Sequence, residues 1–221
     1  MNFCAGSLLK TPAFQAGEGG SHPTPALHSP RDLVIRPAPL TEIRSFVETY
    51  HYSHSVNGVK VSHCFRVDAK GELVGALIFG AMSTTAWKKF SDCEKSVLEL
   101  RRLVLLDAAG KNCESRVLGV ALRWLRKSVP GVRLIVSYAD PAHGHRGGIY
   151  RAANFTDLGT SAPDIGFRDP DSGKVYHSRA LRTRYRGTYK PFVVRLRQKL
   201  SEGRLERVSL PGKHCFIFKL R

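Results

Sequence analysis

Residues 96–128 read SVLELRRLVLLDAAGKNCESRVLGVALRWLRKS. Ser96 to Leu106 alternates apolar and polar side chains, the signature of a strand with one face buried. A loop follows, and from Ser115 to Lys127 the period changes. Val117, Leu118, Val120, Ala121, Trp124 and Leu125 then share one face of a helix, which Pro130 and Gly131 close. Strand, loop and helix in that order set an α/β frame.

The frame extends outward in both directions. Downstream, Val132 to Tyr138 is a buried-type strand. Gly148 to Asn154 is a second helix leading into a strand at Phe155. Val175 to His177 and Cys215 to Leu220 are late strands, and Phe192 to Leu200 is a basic helix with Pro191 in its first turn. Upstream, Leu33 to Arg36 is a short strand. Leu40 to Tyr50 is a helix with Thr41 as its N-cap. Val59 to Val67 and Leu73 to Phe79 pair across the turn Asp68-Ala69-Lys70-Gly71. The expected fold is α/β, with a mixed, mostly antiparallel central sheet flanked by helices. Residues 1–30, rich in Gly, Pro, Ser, Ala and His, read as a flexible leader, and residues 31–221 as a single domain.

The 221 residues carry 35 Lys+Arg against 18 Asp+Glu, a net charge of +17 that points to a polyanionic partner. Residues 179–221 alone hold 13 Lys/Arg and two acids, so this segment is the expected electrostatic footprint. No apolar run reaches the ~20 residues of a membrane span, and no basic helix carries a wide apolar face, so no membrane partner is expected. The N-terminus lacks a signal-peptide pattern. Five cysteines, odd in number and without a CxxC, argue against a disulfide scaffold and for a reducing compartment.

Four stretches carry candidate chemistry. Tyr50-His51-Tyr52-Ser53-His54 combines aromatics and imidazoles suited to a planar base; an incidental surface turn is the alternative. Val136-Ser137-Tyr138-Ala139-Asp140 ends a strand in a carboxylate, which suits a base, a ligand or a turn cap. His143 and His145 lie close enough in sequence to join Asp140 around iron, although solvated loop histidines are the commoner case. Tyr150 sits one turn into the helix after Gly147-Gly148, where a core aromatic is the alternative. Arg182, Arg184, Arg186 and Lys190 alternate with tyrosines as a contact to double-stranded DNA or to RNA would; a solvated charge run is the alternative.

The element order resembles the GNAT acyltransferases, in which the loop and helix at this position cradle a CoA pyrophosphate. Here that turn reads Gly110-Lys111-Asn112-Cys113-Glu114-Ser115-Arg116, without the glycine-rich run of that family. Lys111, Ser115 and Arg116 at the helix N-terminus remain candidates to hold an anionic cofactor group. In that family a tyrosine placed like Tyr150 is the general acid facing the donor.

Taken together, several short blocks resemble the Mom DNA-modification proteins of Mu-like bacteriophages. They are His51-Tyr52-Ser53, Ser62-His63-Cys64-Phe65, Glu99-Leu100-Arg101-Arg102-Leu103, Glu114-Ser115-Arg116, Ser137-Tyr138-Ala139-Asp140, and Gly144-His145 with Tyr150 to Phe155. The resemblance implies a GNAT-like fold for 31–221 and conversion of DNA adenine to N6-carbamoylmethyladenine, which protects phage DNA from restriction in the bacterial host cytoplasm. It implies functional roles for His51, Tyr52, Ser115, Asp140 and Tyr150. A CoA-linked donor, a glycine-derived donor and an iron-assisted step are all compatible with it, and it leaves the oligomeric state open. An ordinary GNAT acyltransferase acting on a protein or small-molecule amine, and a non-catalytic DNA-binding accessory protein, are the competing readings.

Overall fold

In the computed structural model the described residues are 28–83 and 85–221, and they fall into two compact units. The leader expected over 1–30 lies, up to residue 27, outside the described residues. Its last part forms a capped 3-10 turn, Pro30–Asp32, with Ser29 and Asp32 exchanging hydrogen bonds.

The first unit, ending at Arg133 and joined by Leu220 and Arg221, is an antiparallel meander between two helices. β1 (Leu33–Pro37) pairs with β2 (Val61–Ala69), β2 with β3 (Glu72–Gly80), and β3 with β4 (Val97–Leu105). α1 (Leu40–Tyr50) buries Ile43, Phe46 and Val47 against Cys64, Ala76, Ile78 and Val104 on one sheet face. α2 (Cys113–Ser128) serves the other face. Its Trp124 meets Phe65 edge-on at 5.4 Å, and Phe65 meets Phe79 at 5.8 Å. Alternation along β2 and β3 therefore divides the apolar side chains between two helices, the consequence of a period of two.

Several expected boundaries move. Thr41 is not the N-cap of α1. Pro39 is, because its fixed φ of −67° sets the entry and its carbonyl accepts from Glu42. The β2–β3 turn needs only Lys70 and Gly71, at φ +50° and +86°, so Ala69 and Glu72 already pair. That is the positive-φ hairpin turn whose twist matches the strands. On α2, Leu122 is buried as well, while Val120 and Trp124 are only half-buried.

In the second unit, residues 134–219, β5 (Leu134–Ala139) and β6 (Thr156–Thr160) both pair antiparallel with β12 (His214–Lys219). A second sheet sets β7 (Asp164–Arg168) between β11 (Glu206–Leu210) and β8 (Val175–His177). β9 (Arg184–Tyr185) and β10 (Thr188–Tyr189) form a two-residue-turn hairpin with Arg186 and Gly187 at positive φ. α3 (Gly148–Ala152) is shorter than expected, since Asn154 adopts φ +63° and turns the chain out of the helix. α4 (Pro191–Ser201) buries Val193 and Leu196 and packs on the 3-10 turn Ser178–Arg182. The expected class is thus observed: α/β, with antiparallel pairing in both units and flanking helices. No described helix is long and apolar enough to cross a membrane.

Candidate functional site

In the first unit the chain leaving α1 is tied down by its own polar groups. His51, only 5% exposed, is the helix C-cap, and its N–H donates to the Val47 carbonyl. The Ser53 N–H donates to His51 Nδ1 at 3.1 Å, and Ser53 Oγ lies 2.9 Å from the same nitrogen. Nδ1 is therefore an acceptor, and the neutral ring carries its proton on Nε2. The Tyr52 ring lies 4.2 Å from that of His51, and the residue is 45% exposed. Arg102 of β4 closes the loop. Its Nε and one terminal nitrogen donate to the Ser55 carbonyl at 3.1 and 2.9 Å. Burial pulls the Arg102 guanidinium downward, and the nearby Tyr52 side chain acts in the opposite sense. Arg102 lies within the Glu99–Leu103 stretch, but its bond to residue 55 spans 47 residues and no local spacing announces it.

Also in the first unit, α2 begins after two left-turning residues, Gly110 at φ +80° and Asn112 at φ +65°. Asn112 occupies the N-cap position without a side-chain cap bond. Lys111 and Arg116 are exposed beside it, and the Ser115 hydroxyl donates back to the Asn112 carbonyl at 3.0 Å. The first turn of α2 with two neighbouring cations suits an anionic group. Its Ser115 oxygen can still accept a hydrogen bond.

Asp140 lies in the second unit, one residue beyond β5. Its Oδ1 accepts from the Ala142 N–H at 3.1 Å and caps the 3-10 turn Pro141–His143, the role that composition left open. Its Oδ2 meets Lys213 Nζ at 2.6 Å. Register explains the pair: His214 opposes Ala139, so the residue before β12 stands beside the residue after β5. Burial pushes the Asp140 carboxyl up, but Lys213 and the Ala142 N–H outweigh it and hold it below the usual carboxylate range. Asp140 is therefore an ionised, oriented acceptor and a weak base. Lys213 is a functional candidate that sequence reading passes over, because 73 positions separate it from Asp140.

His143 is exposed and His145 half-buried, with ring centroids 6.3 Å apart. Burial and the neighbouring His143 lower the His145 pKa, while Asp140 opposes them. Among the described residues no group of three His, Cys, Asp or Glu is arranged to hold a metal ion, and Asp140 is already bonded to Lys213. His143, His145 and Asp140 thus do not make the ligand set that an iron site needs.

Tyr150 of α3 is 8% exposed, and its ring joins Phe216 at 5.1 Å and Phe155 at 5.5 Å. Gly147 makes this packing possible. It sits at φ +76°, and a Cβ there would fall 2.2 Å from the Phe216 ring.

The basic segment divides sharply. Lys199 binds Asp169 and Asp171, Arg204 binds Asp171, and Arg168 meets Glu206. Arg182, Arg184, Arg186 and Lys190 are all exposed. Two guanidinium groups approach the Tyr189 ring, Arg184 at 4.7 Å and Arg197 at 4.8 Å, and the Tyr189 hydroxyl accepts from Arg184.

Methylcarbamoylase mom of Escherichia phage Mu is 30% identical over 147 residues, which are 65% of this chain and 59% of the phage protein. The matched segment thus spans less than two thirds of that relative. Among solved structures, a Bacillus subtilis acetyltransferase with CoA superposes with TM-score 0.48 at 12% identity, over 86% of this chain and 99% of that one. Vibrio cholerae spermidine/spermine N-acetyltransferase SpeG gives TM-score 0.45 at 10% identity, over 86% and 94%. Aminoglycoside acetyltransferase AAC(6')-Ib with coenzyme A gives 0.46 at 16%, over 58% and 87%. The sequence profile of the Mom protein family matches residues 32–221, and this chain belongs to that family.

Proposed function

We propose that this protein is a DNA-modifying transferase that converts adenine in double-stranded DNA to N6-carbamoylmethyladenine. The observation that carries the reading is family membership together with 30% identity to the methylcarbamoylase of phage Mu. The side chains in hand support it. The exocyclic amine of adenine is a poor nucleophile, because its lone pair is delocalised into the ring. The Asp140 carboxylate, kept ionised by Lys213, accepts a hydrogen bond from that amine and raises its electron density. As N6 bonds to the methylene carbon, the donor's bond from that carbon to its leaving group breaks and Asp140 takes the proton that N6 releases; Tyr150, fixed by Phe155 and Phe216, orients the donor or protonates the leaving group.

In the first unit, the exposed Tyr52 has a ring of the kind unpaired bases stack on, and His51 carries an Nε2–H that can act as a proton donor. Lys111, Arg116 and the first turn of α2 suit the negative part of a carbamoylmethyl donor, with Ser115 accepting. A CoA-linked donor would bring a phosphate to those groups. Adenine N6 is paired within duplex DNA, so the base must leave the stack at a cost of about a few kcal/mol. The basic surface around Arg182, Arg184, Arg186 and Lys190 holds the flanking phosphates.

The test is nucleoside mass spectrometry of plasmid DNA from cells making the protein. The expected result is a deoxyadenosine heavier by a carbamoylmethyl group. It should be absent with Asp140→Ala, while DNA binding persists. Unmodified DNA from folded wild-type protein refutes the activity; loss of DNA binding together with modification in Asp140→Ala refutes the residue's role.

A further inference from the structure

The second unit also contains a pocket of about 420 Å³ that shares only Arg182 with the basic surface described above. Arg182 from the 3-10 turn, Arg197 from α4 and Arg207 from β11 reach it from three separate elements, over a floor of Ile165, Phe167 and Leu181. These three cations differ from their neighbours. Lys199, Arg204 and Arg168 are neutralised by carboxylates, whereas among the described residues none lies within ion-pair distance of Arg182, Arg197 or Arg207.

Three like charges around one cavity repel one another, and folding tolerates this only where water or an anion screens them. Arg197 is also pre-positioned. Its guanidinium lies 4.8 Å from the Tyr189 ring, and one nitrogen donates to the Leu181 carbonyl at 3.4 Å. The remaining N–H groups keep their donors for a ligand, at reduced entropic cost. Ile165 is 38% exposed beside these charges. A pocket of this volume exceeds what a bare phosphate fills and lies in the range of small-molecule sites. Its ligand should therefore carry an anionic group for the arginines and C–H surface for Ile165 and Phe167.

We infer that this pocket seats one sugar-phosphate unit of the DNA strand. The phosphodiester oxygens meet Arg182, Arg197 and Arg207, and the deoxyribose lies on Ile165 and Phe167. The inference rests on the DNA-modification reading and narrows it. Arg207 and Arg197 become DNA-positioning residues in addition to the 182–190 stretch, and the contact is indifferent to base identity.

The experiment measures binding of a 20-base-pair duplex at several salt concentrations by wild type, Arg207→Gln, Ile165→Ala and Arg168→Gln. Arg168→Gln is the control that removes an already paired surface charge. Deoxyribose 5-phosphate and inorganic phosphate are titrated as competitors. Arg207→Gln should weaken binding about tenfold and flatten the log–log salt slope by about one. Ile165→Ala should weaken it by about twofold to fivefold, and Arg168→Gln by less than twofold. Deoxyribose 5-phosphate should compete better than inorganic phosphate, and Arg207→Gln should abolish the difference. Duplex binding that Arg207→Gln and Arg168→Gln change equally overturns the pocket while leaving DNA binding intact. Equal competition by the two small probes also overturns it. Wild-type protein that binds no duplex, yet binds deoxyribose 5-phosphate in an Arg207-dependent way, overturns DNA as the occupant, and the DNA reading with it, and leaves a site for a free sugar phosphate.

Discussion

Replacing Lys213 with Met removes the ammonium from Asp140 and keeps most of the stem's volume. At the observed 2.6 Å, Coulomb's law gives about 1.6 kcal/mol in water and about 6 kcal/mol at an effective dielectric near 20. The Lys213 side chain is 43% exposed and that of Asp140 14%, so solvent screening and the ordering of a long side chain pull the net value toward the lower figure. The expected loss is about 1–2 kcal/mol at pH 7. The sign of the pH dependence follows from the depressed Asp140 pKa. Its contribution is full above the ordinary carboxylate value of 3.8 and is lost as pH falls through the folded-state value. Urea unfolding of wild type, Lys213→Met, Asp140→Asn and the double variant should therefore show a coupling of about 1 kcal/mol at pH 7 that vanishes in acid. Carbon-detected NMR should find the Asp140 carboxyl titrating higher in Lys213→Met, because the burial that raises it is then opposed mainly by the Ala142 N–H. Additive single-variant effects, or an unmoved titration, would refute the claim that Lys213 keeps this carboxylate ionised.

Other consequences are as direct. Gly147→Ala should cost about 2–4 kcal/mol, from positive φ and collision with Phe216, and should disturb the Tyr150 ring signals in aromatic NMR. Arg102→Met should destabilise the protein by about 2 kcal/mol in urea, with Arg102→Lys restoring only part, since two guanidinium nitrogens share the Ser55 carbonyl. Thiol mapping at pH 8 should label exposed Cys93 well before Cys64, whose burial raises its pKa to about 11, and before buried Cys113. Thermal stability should begin to fall as pH drops below about 6.5. His63, His145 and His177 have lowered pKa values, chiefly from burial, so the unfolded chain takes up their protons first. A Tm unchanged between pH 7 and 5 would contradict this.

What the sequence discloses follows the range of the interactions. The meander and α2 are legible because their apolar period is uninterrupted and each element is long. β7 and β11 are not: Gly166 and a run of exposed polar residues leave too little alternation to read. Tyr52, Asp140 and Tyr150 could be nominated from local blocks. Their chemistry could not, because it depends on cross-strand register and on residues far along the chain. Lys213 beside Asp140, Phe216 beneath Gly147 and Arg102 beneath Ser55 are the cases in point. The basic segment shows the same limit. Counting charges locates it, but only ion pairing separates the neutralised Lys199 and Arg204 from Arg182, Arg197 and Arg207, which no described carboxylate pairs.

The insertion of β12 between β5 and β6 also has a kinetic side. During synthesis, β5 emerges about 80 positions before the strand that satisfies its edge, and its Leu-Ile-Val-Ser-Tyr-Ala run is strongly apolar. Until residues 214–219 arrive, that edge is an open template for other chains. Pairings this distant in sequence form slowly. Expression at lower temperature, or with a holdase chaperone present, should therefore raise the yield of folded protein more than any change at its surface.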